Sequence, residues 1–170
     1  MSALIYPQVA VIARYTALEA IRTRYIWLLG AVLLAGGGAG LFAGDIAIAE
    51  THATQAAIAA SLLRFAAVML VILFVTTSVH RDFNDKSVEL MLSLPLPRGG
   101  YYLGKLAGYA AVAVVTAAPL CLLLMLFAPA VAAVSWGLFL LLELVLVASL
   151  SLLFAFAFSQ ATASIFASLM

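Results

Sequence analysis

The chain has 170 residues, of which 67% are hydrophobic and only 9% are charged, far above the roughly 45–50% apolar content of ordinary soluble domains. That excess excludes a water-soluble globular protein and makes this an integral membrane protein. A formal net charge of +1 excludes a basic field for nucleic acid, so the positive charges matter by position, and the single cysteine, Cys121, excludes a disulfide framework or a thiolate metal site within the chain.

Pro7 to Arg24 is long enough for a helix and joins Arg14, Glu19, Arg22 and Arg24 to Val9, Ile12, Ala13, Ala20 and Ile21, with Val11 and Leu18 on the polar side. Tyr15, Tyr25 and Trp27 suit a membrane interface, where an aromatic body lies dry and its polar tip wet. Residues 7–24 therefore read as an interfacial helix. No small-residue cleavage pattern follows closely, so a removable signal peptide is not expected.

Residues 26–43 form the first predicted span, since about 20 residues at ~1.5 Å rise cross a ~30 Å hydrocarbon core. Gly36, Gly40 and Gly44 recur at intervals of four, a ridge that lets another helix backbone approach closely. It is a packing surface for another span of the chain or for a second subunit. Asp45 to Ala57 reads as a short polar loop with Asp45, Glu50 and His52 but no Lys or Arg. The second span covers 62–79, and Arg64 near its outer end is placed to snorkel to the interface or to pair with Asp45 or Glu50.

The stretch from His80 to Lys105 is the only long polar interruption in the middle of the chain, and it holds Arg81, Asp82, Asp85, Lys86, Glu89, Arg98 and Lys105. Its interior reads as a short helix from about Lys86 to Leu94. Asn84 and Asp85 are good N-cap residues, Asp82 and Lys86 are spaced for an ion pair, and Pro95 and Pro97 stop propagation. Val88, Met91, Leu92 and Pro95 share one side, with Leu90 and Leu94 adjacent and Glu89 on the acidic edge. Such a surface suits a protein partner or a loop helix lying in the interface. Gly99 to Leu106 nearly spells a phosphate-binding loop, but Leu106 stands where Ser or Thr must coordinate magnesium and no buried strand precedes it. The glycines read instead as a turn re-entering the membrane, with Lys105 snorkelling to the headgroups.

The third span, 106–128, contains Pro119, which removes a backbone hydrogen bond and predicts a kink. Pro129 to Ser135 reads as a tight turn, and Trp136 marks the interface at which the fourth span, 136–158, begins. Glu143 falls about two turns inside that boundary, where a carboxylate must be protonated, paired or facing water. It is a candidate for a translocation path, for an inter-span hydrogen bond, or for a packed protonated group. Ser159, Gln160 and Thr162 read as a turn, and 161–170 as a partial fifth span too short to cross a bilayer. On this layout Arg14, Arg22, Arg24, Arg81, Lys86, Arg98 and Lys105 share one side and only Arg64 falls on the other. The positive-inside rule then makes the amino terminus and the 80–105 loop cytoplasmic. His52 and His80 fall on opposite sides, and no catalytic constellation stands out.

The run Asp85-Lys86-Ser87-Val88-Glu89-Leu90-Met91-Leu92-Ser93-Leu94-Pro95-Leu96-Pro97-Arg98, followed by Leu103-Gly104-Lys105-Leu106, resembles the cytoplasmic loop between spans two and three of ABC type 2 permeases. In that family an acidic residue, Gly-Thr, a Glu, a run of leucines, Ser-x-Pro, a small residue, Arg, and a Gly-Lys entering the next span recur. Lys86-Ser87 stands where Gly-Thr is usual, and Pro97 where Ser is common. The wording is closest to permeases associated with multi-copper enzyme maturation, although no Met or His cluster for direct copper binding is present.

The resemblance implies an all-α polytopic helical bundle in a bacterial cytoplasmic (inner) membrane, with 7–24 as an elbow helix and 80–105 as a coupling loop. Asp85, Lys86, Glu89, Met91, Leu92, Leu94 and Arg98 would dock on a separate ATPase subunit. That partner would bind ATP and Mg, leaving this chain without a cofactor or catalytic residues. A second permease copy is a further implied partner, with membrane lipid around both. The family has six spans, so these residues would be the first two thirds of one. Two other readings rest on the residues alone: an ion-coupled carrier or channel using Glu143, and a membrane scaffold that recruits a soluble partner.

Overall fold

The computed structural model describes residues 5–46, 51–84 and 98–169, with side chains described over 10–44, 52–82 and 102–155. Among the described residues the chain is all helical and has no strand. The helices are α1 (Ile5–Arg22), α2 (Tyr25–Ile46), α3 (Thr51–Asn84), α4 (Arg98–Leu124) and α5 (Ala130–Leu169). Four stretches within α2 to α5 are long and apolar enough to cross a membrane, namely Tyr25–Gly44, His52–Asp82, Tyr102–Leu124 and Ala130–Ala155. The chain is therefore a multi-pass membrane protein.

Helix α3 is the central post and packs on α2, α4 and α5, while α1 lies against α4. The core follows from the helical period. Leu63, Ala67, Leu70, Val71, Phe74 and Val75 of α3 are buried, as are Val112, Ala113, Thr116, Ala117 and Leu120 of α4. On α5 the buried residues include Leu140, Leu144, Ala148 and Leu152, a row at intervals of four that seats in a neighbour's groove. The outward faces carry Leu34, Phe139 and Leu142, which is the arrangement a hydrocarbon solvent permits.

Several boundaries differ from the expectations, for one shared reason: polarity alone does not break a helix. The expected loop at Asp45–Ala57 is already helical from Thr51, because His52 to Ala60 is alanine-rich and lacks Gly and Pro. The expected turn at Pro129–Ser135 is the first part of α5. Pro129 precedes that helix, and its carbonyl takes the first bond, from Ala133 N at 3.0 Å. Helix α4 stops at Leu124 rather than 128, tightening into three-residue turns in which Leu126 N and Phe127 N donate to Leu123 O and Leu124 O. Ser159, Gln160 and Thr162 make no turn, and α5 continues as one helix to Leu169, about 60 Å at ~1.5 Å per residue. Gly99 and Gly100 lie in the first turn of α4 rather than in a re-entrant turn, and that helix passes through Pro119 without ending.

Candidate functional site

At the end where α3 stops and α4 starts, a polar cluster ties three helices together inside an otherwise apolar bundle. Lys105 of α4 is only 5% exposed. Its Nζ meets Asp82 Oδ2 of α3 at 2.5 Å, donates to Ser78 Oγ at 3.4 Å and lies 5.6 Å from the Tyr109 ring centroid. Ser78 Oγ donates to Glu19 Oε2 of α1 at 3.0 Å, and Glu19 Oε1 faces Arg81 Nη1 at 3.7 Å. The expectation that Lys105 snorkels to headgroups is therefore corrected. Its ammonium finds Asp82 on the antiparallel neighbour, so burial with a partner replaces escape to water.

Close approach of α1 to α4 makes this cluster possible. Gly104 and Gly108 face α1: a methyl on Gly104 would stand 2.9 Å from Ile12 Cβ, and one on Gly108 would stand 2.5 Å from Thr16 Cβ and 3.1 Å from the Ala13 carbonyl oxygen. Ile12, Thr16 and Ala20, at intervals of four, are the buried stripe of α1. Val11, Tyr15 and Leu18 point outward, so the untidy polar side of the sequence is the exposed face.

One step deeper stands an aromatic group. The Tyr25 and Phe74 rings lie 4.9 Å apart, and Tyr109 meets Phe74 edge-on at 6.0 Å. Thr116 Oγ1 donates to Val112 O at 2.8 Å, which leaves it to accept from Tyr25 Oη at 2.5 Å. Tyr25 was expected at a wet interface. The structure buries it, because Thr116 supplies a partner that water would otherwise provide. The Tyr109 hydroxyl is buried with no hydrogen-bond partner among the described residues.

Glu143, the predicted intramembrane polar residue, stands midway between Ala130 and Ala155 in its span. Arg64 of α3 reaches it with both arms of its guanidinium, Nε to Oε2 at 2.7 Å and Nη2 to Oε1 at 3.0 Å. Arg64 lies about 18 Å along α3 from His52 at ~1.5 Å per residue, so the pair sits well inside the candidate span. The expected snorkel gives way to this pair, while Glu50 and the side chain of Asp45, the other expected partners, lie outside the described residues. Because α3 is helical from Thr51, Arg64 sits deep in the span, and only a partner at the same depth can reach it. The pair is open on one side, the side chains being 60% and 30% exposed.

Of the glycine ridge, Gly36 packs on Leu63, Gly40 on Phe127 and Ala59, and Gly44 on Gln55. The ridge thus serves the neighbouring span α3, which descends beside α2 in the opposite sense, and at Gly40 also the turn between α4 and α5 that carries Phe127. Asp85, Lys86, Glu89, Met91, Leu92 and Leu94 lie outside the described residues, and Arg98 opens α4 with a side chain that is likewise outside them. Sequence reasoning missed the roles of Glu19, Ser78, Asp82 and Tyr109. The available signal was that Glu19 adjoins the buried stripe of α1 and that Lys105 follows Gly104, a small residue of the kind that lets helices close. Among the described residues no three of His, Cys, Asp and Glu gather as a metal would require, and His52 and His80 stand on one helix about 42 Å apart at ~1.5 Å per residue. No family model, curated protein or solved structure matches the chain.

Proposed function

We propose that this chain is the membrane-spanning permease subunit of an ATP-binding cassette exporter, coupling ATP hydrolysis by a separate ATPase subunit to substrate movement. The observation that carries the reading is the bracing of the two helices that flank the 85–97 segment. Asp82 near the end of α3 and Lys105 near the start of α4 are joined at 2.5 Å, and Glu19 of α1 joins the same cluster through Ser78. A docking helix between Lys86 and Leu94 would push on both flanking helices, and ion pairing at their bases passes that push into the bundle rather than letting the two ends slip. The loop wording shared with ABC type 2 permeases supports the same reading. In it α1 is the elbow helix, Glu89 and Arg98 orient the docking helix, and Met91, Leu92 and Leu94 pack into a groove of the ATPase.

The orientation follows from charge: with Arg14, Arg22, Arg24, Arg81 and Lys105 toward one end of the bundle, the positive-inside rule puts the amino terminus and the loop in the cytoplasm of a bacterial inner membrane. The open side of the Arg64–Glu143 pair supports a second permease copy. Hydrocarbon against an ion pair is costly, whereas a second copy, or water held between two copies, solvates it. That same pair is what an ion-coupled carrier would use, and such a carrier moves substrate with a dependence on pH and none on nucleotide.

Co-purification with a co-expressed ABC-type ATPase subunit from the same source tests the proposal. The native chain is expected to capture the ATPase, and Glu89→Lys with Met91→Asp is expected to lose it. Failure of the native chain to capture any ATPase, together with flux that ignores nucleotide, would remove the exporter reading.

A further inference from the structure

Helices α2 and α3 meet differently in their two halves. From Gly36 to Gly44 they touch through the glycine ridge, whereas from Arg24 to Gly36 they leave an open groove of ≈ 750 Å³ between them. Its buried floor is made of Tyr25, Gly36, Leu70 and Phe74, with Ala66 half-buried beside them, and its rims of Leu28, Phe65, Met69 and Leu73, all four of which are exposed. Arg24 closes one end and is the groove's one charged residue. Thr23 and Thr77 also line it, but their hydroxyls donate to Glu19 O and Leu73 O of their own helices. Arg24 has no ion-pair partner among the described residues.

The same end carries a second positive feature. Leu28 N donates to Arg24 O at 3.1 Å, so Arg24 caps α2, and the N–H groups of Tyr25, Ile26 and Trp27 have no intrahelical acceptor. A helix N-terminus beside a guanidinium favours an anion, phosphate above all.

The groove's length decides what lies in it. Twelve residues of α2 from Arg24 to Gly36 span about 18 Å, close to half of a ~30 Å hydrocarbon core. A crossing helix would need a groove running the full depth, but here the glycine ridge closes the outer half. One leaflet of depth, apolar walls and an anion site at the mouth describe one molecule. We infer that the α2–α3 groove binds a phospholipid with an anionic headgroup, one acyl chain lying between Leu28, Phe65, Met69 and Leu73 and the phosphate held by Arg24 at the start of α2. This site is independent of whether the chain serves an exporter.

The test uses the full chain in nanodiscs of equal phosphatidylglycerol and phosphatidylethanolamine, released for native mass spectrometry. The wild-type chain is expected to retain phosphatidylglycerol in preference. Arg24→Gln is expected to lower the retained phosphatidylglycerol-to-phosphatidylethanolamine ratio roughly fivefold, the effect of one basic side chain at an anionic surface, while Arg14→Gln, outside the groove, leaves it unchanged. Ala66→Phe fills the groove from its half-buried wall and is expected to abolish retention, and Ala31→Phe, on a more exposed lining position, does the same if the Ala66 variant does not fold. An unchanged ratio in Arg24→Gln would overturn the site. So would a disulfide between two chains carrying Met69→Cys, which would show a second copy in the groove instead.

Discussion

Lys105 shows how a single side chain changes meaning once its neighbour is known. In the sequence it is a cation at the edge of an apolar run, and the general habit of such residues is to reach for headgroups. In the bundle it is buried against Asp82 and the Tyr109 ring, where its charge is balanced by a carboxylate rather than by water. Lys105→Met is expected to destabilise the protein by about 3 kcal/mol, the usual result of breaking a buried ion pair from one side. Lys105→Met combined with Asp82→Leu is expected to recover most of that loss, since an apolar pair leaves no charge unpaired. Thermal unfolding in detergent measures both, and a double variant no better than the single would mean that Asp82 is held by other groups.

At the scale of the element, α1 is informative because its sequence describes a weakly amphipathic helix with no obvious partner. What fastens it is on α4, where Gly104 and Gly108 present bare backbone to Ile12, Ala13 and Thr16. Gly108→Val leaves no room for Thr16 or for the Ala13 carbonyl, and overpacking of this kind costs about 1–3 kcal/mol. Because the strain falls on the α1–α4 contact alone, α1 is expected to detach before the bundle does. Limited trypsin digestion reads this directly as faster cleavage at Arg22 and Arg24, at unchanged helix content. Gly38, which has nothing within reach of an added methyl, serves as the control position.

For the whole molecule, the Arg64–Glu143 pair determines which faces can stay in contact with hydrocarbon. Most of the outer surface is leucine, valine and phenylalanine, but the pair opens a polar window between α3 and α5 within the span. Glu143→Gln or Arg64→Gln alone leaves one charge without its counter-ion, and both are expected to lower the melting temperature. The exchange of Arg64→Glu with Glu143→Arg is expected to return it toward wild type, because the attraction does not depend on which helix carries which sign. If the exchanged chain melts no higher than the single variants, the pair contributes nothing to holding α3 against α5.

The residues by themselves determined the membrane class, the four spanning segments and the presence of a ridge at Gly36, Gly40 and Gly44, because hydropathy, length and spacing are properties of one segment at a time. They also marked Glu143 as out of place, since a carboxylate amid leucines is anomalous whatever surrounds it. Element ends were less legible: Thr51, Ala130 and the passage through Ser159 turned on the absence of Gly and Pro, which the polarity of those stretches concealed. The partners of Arg64, Lys105, Glu19 and Tyr25 were decided only in three dimensions. Each lies on another helix, from 23 positions away for Lys105 to 91 for Tyr25, and a helix sequence states which face is polar without stating what that face will meet. The groove beneath Gly36 belongs to the same category, for a gap between two helices is a property of the pair and of neither alone.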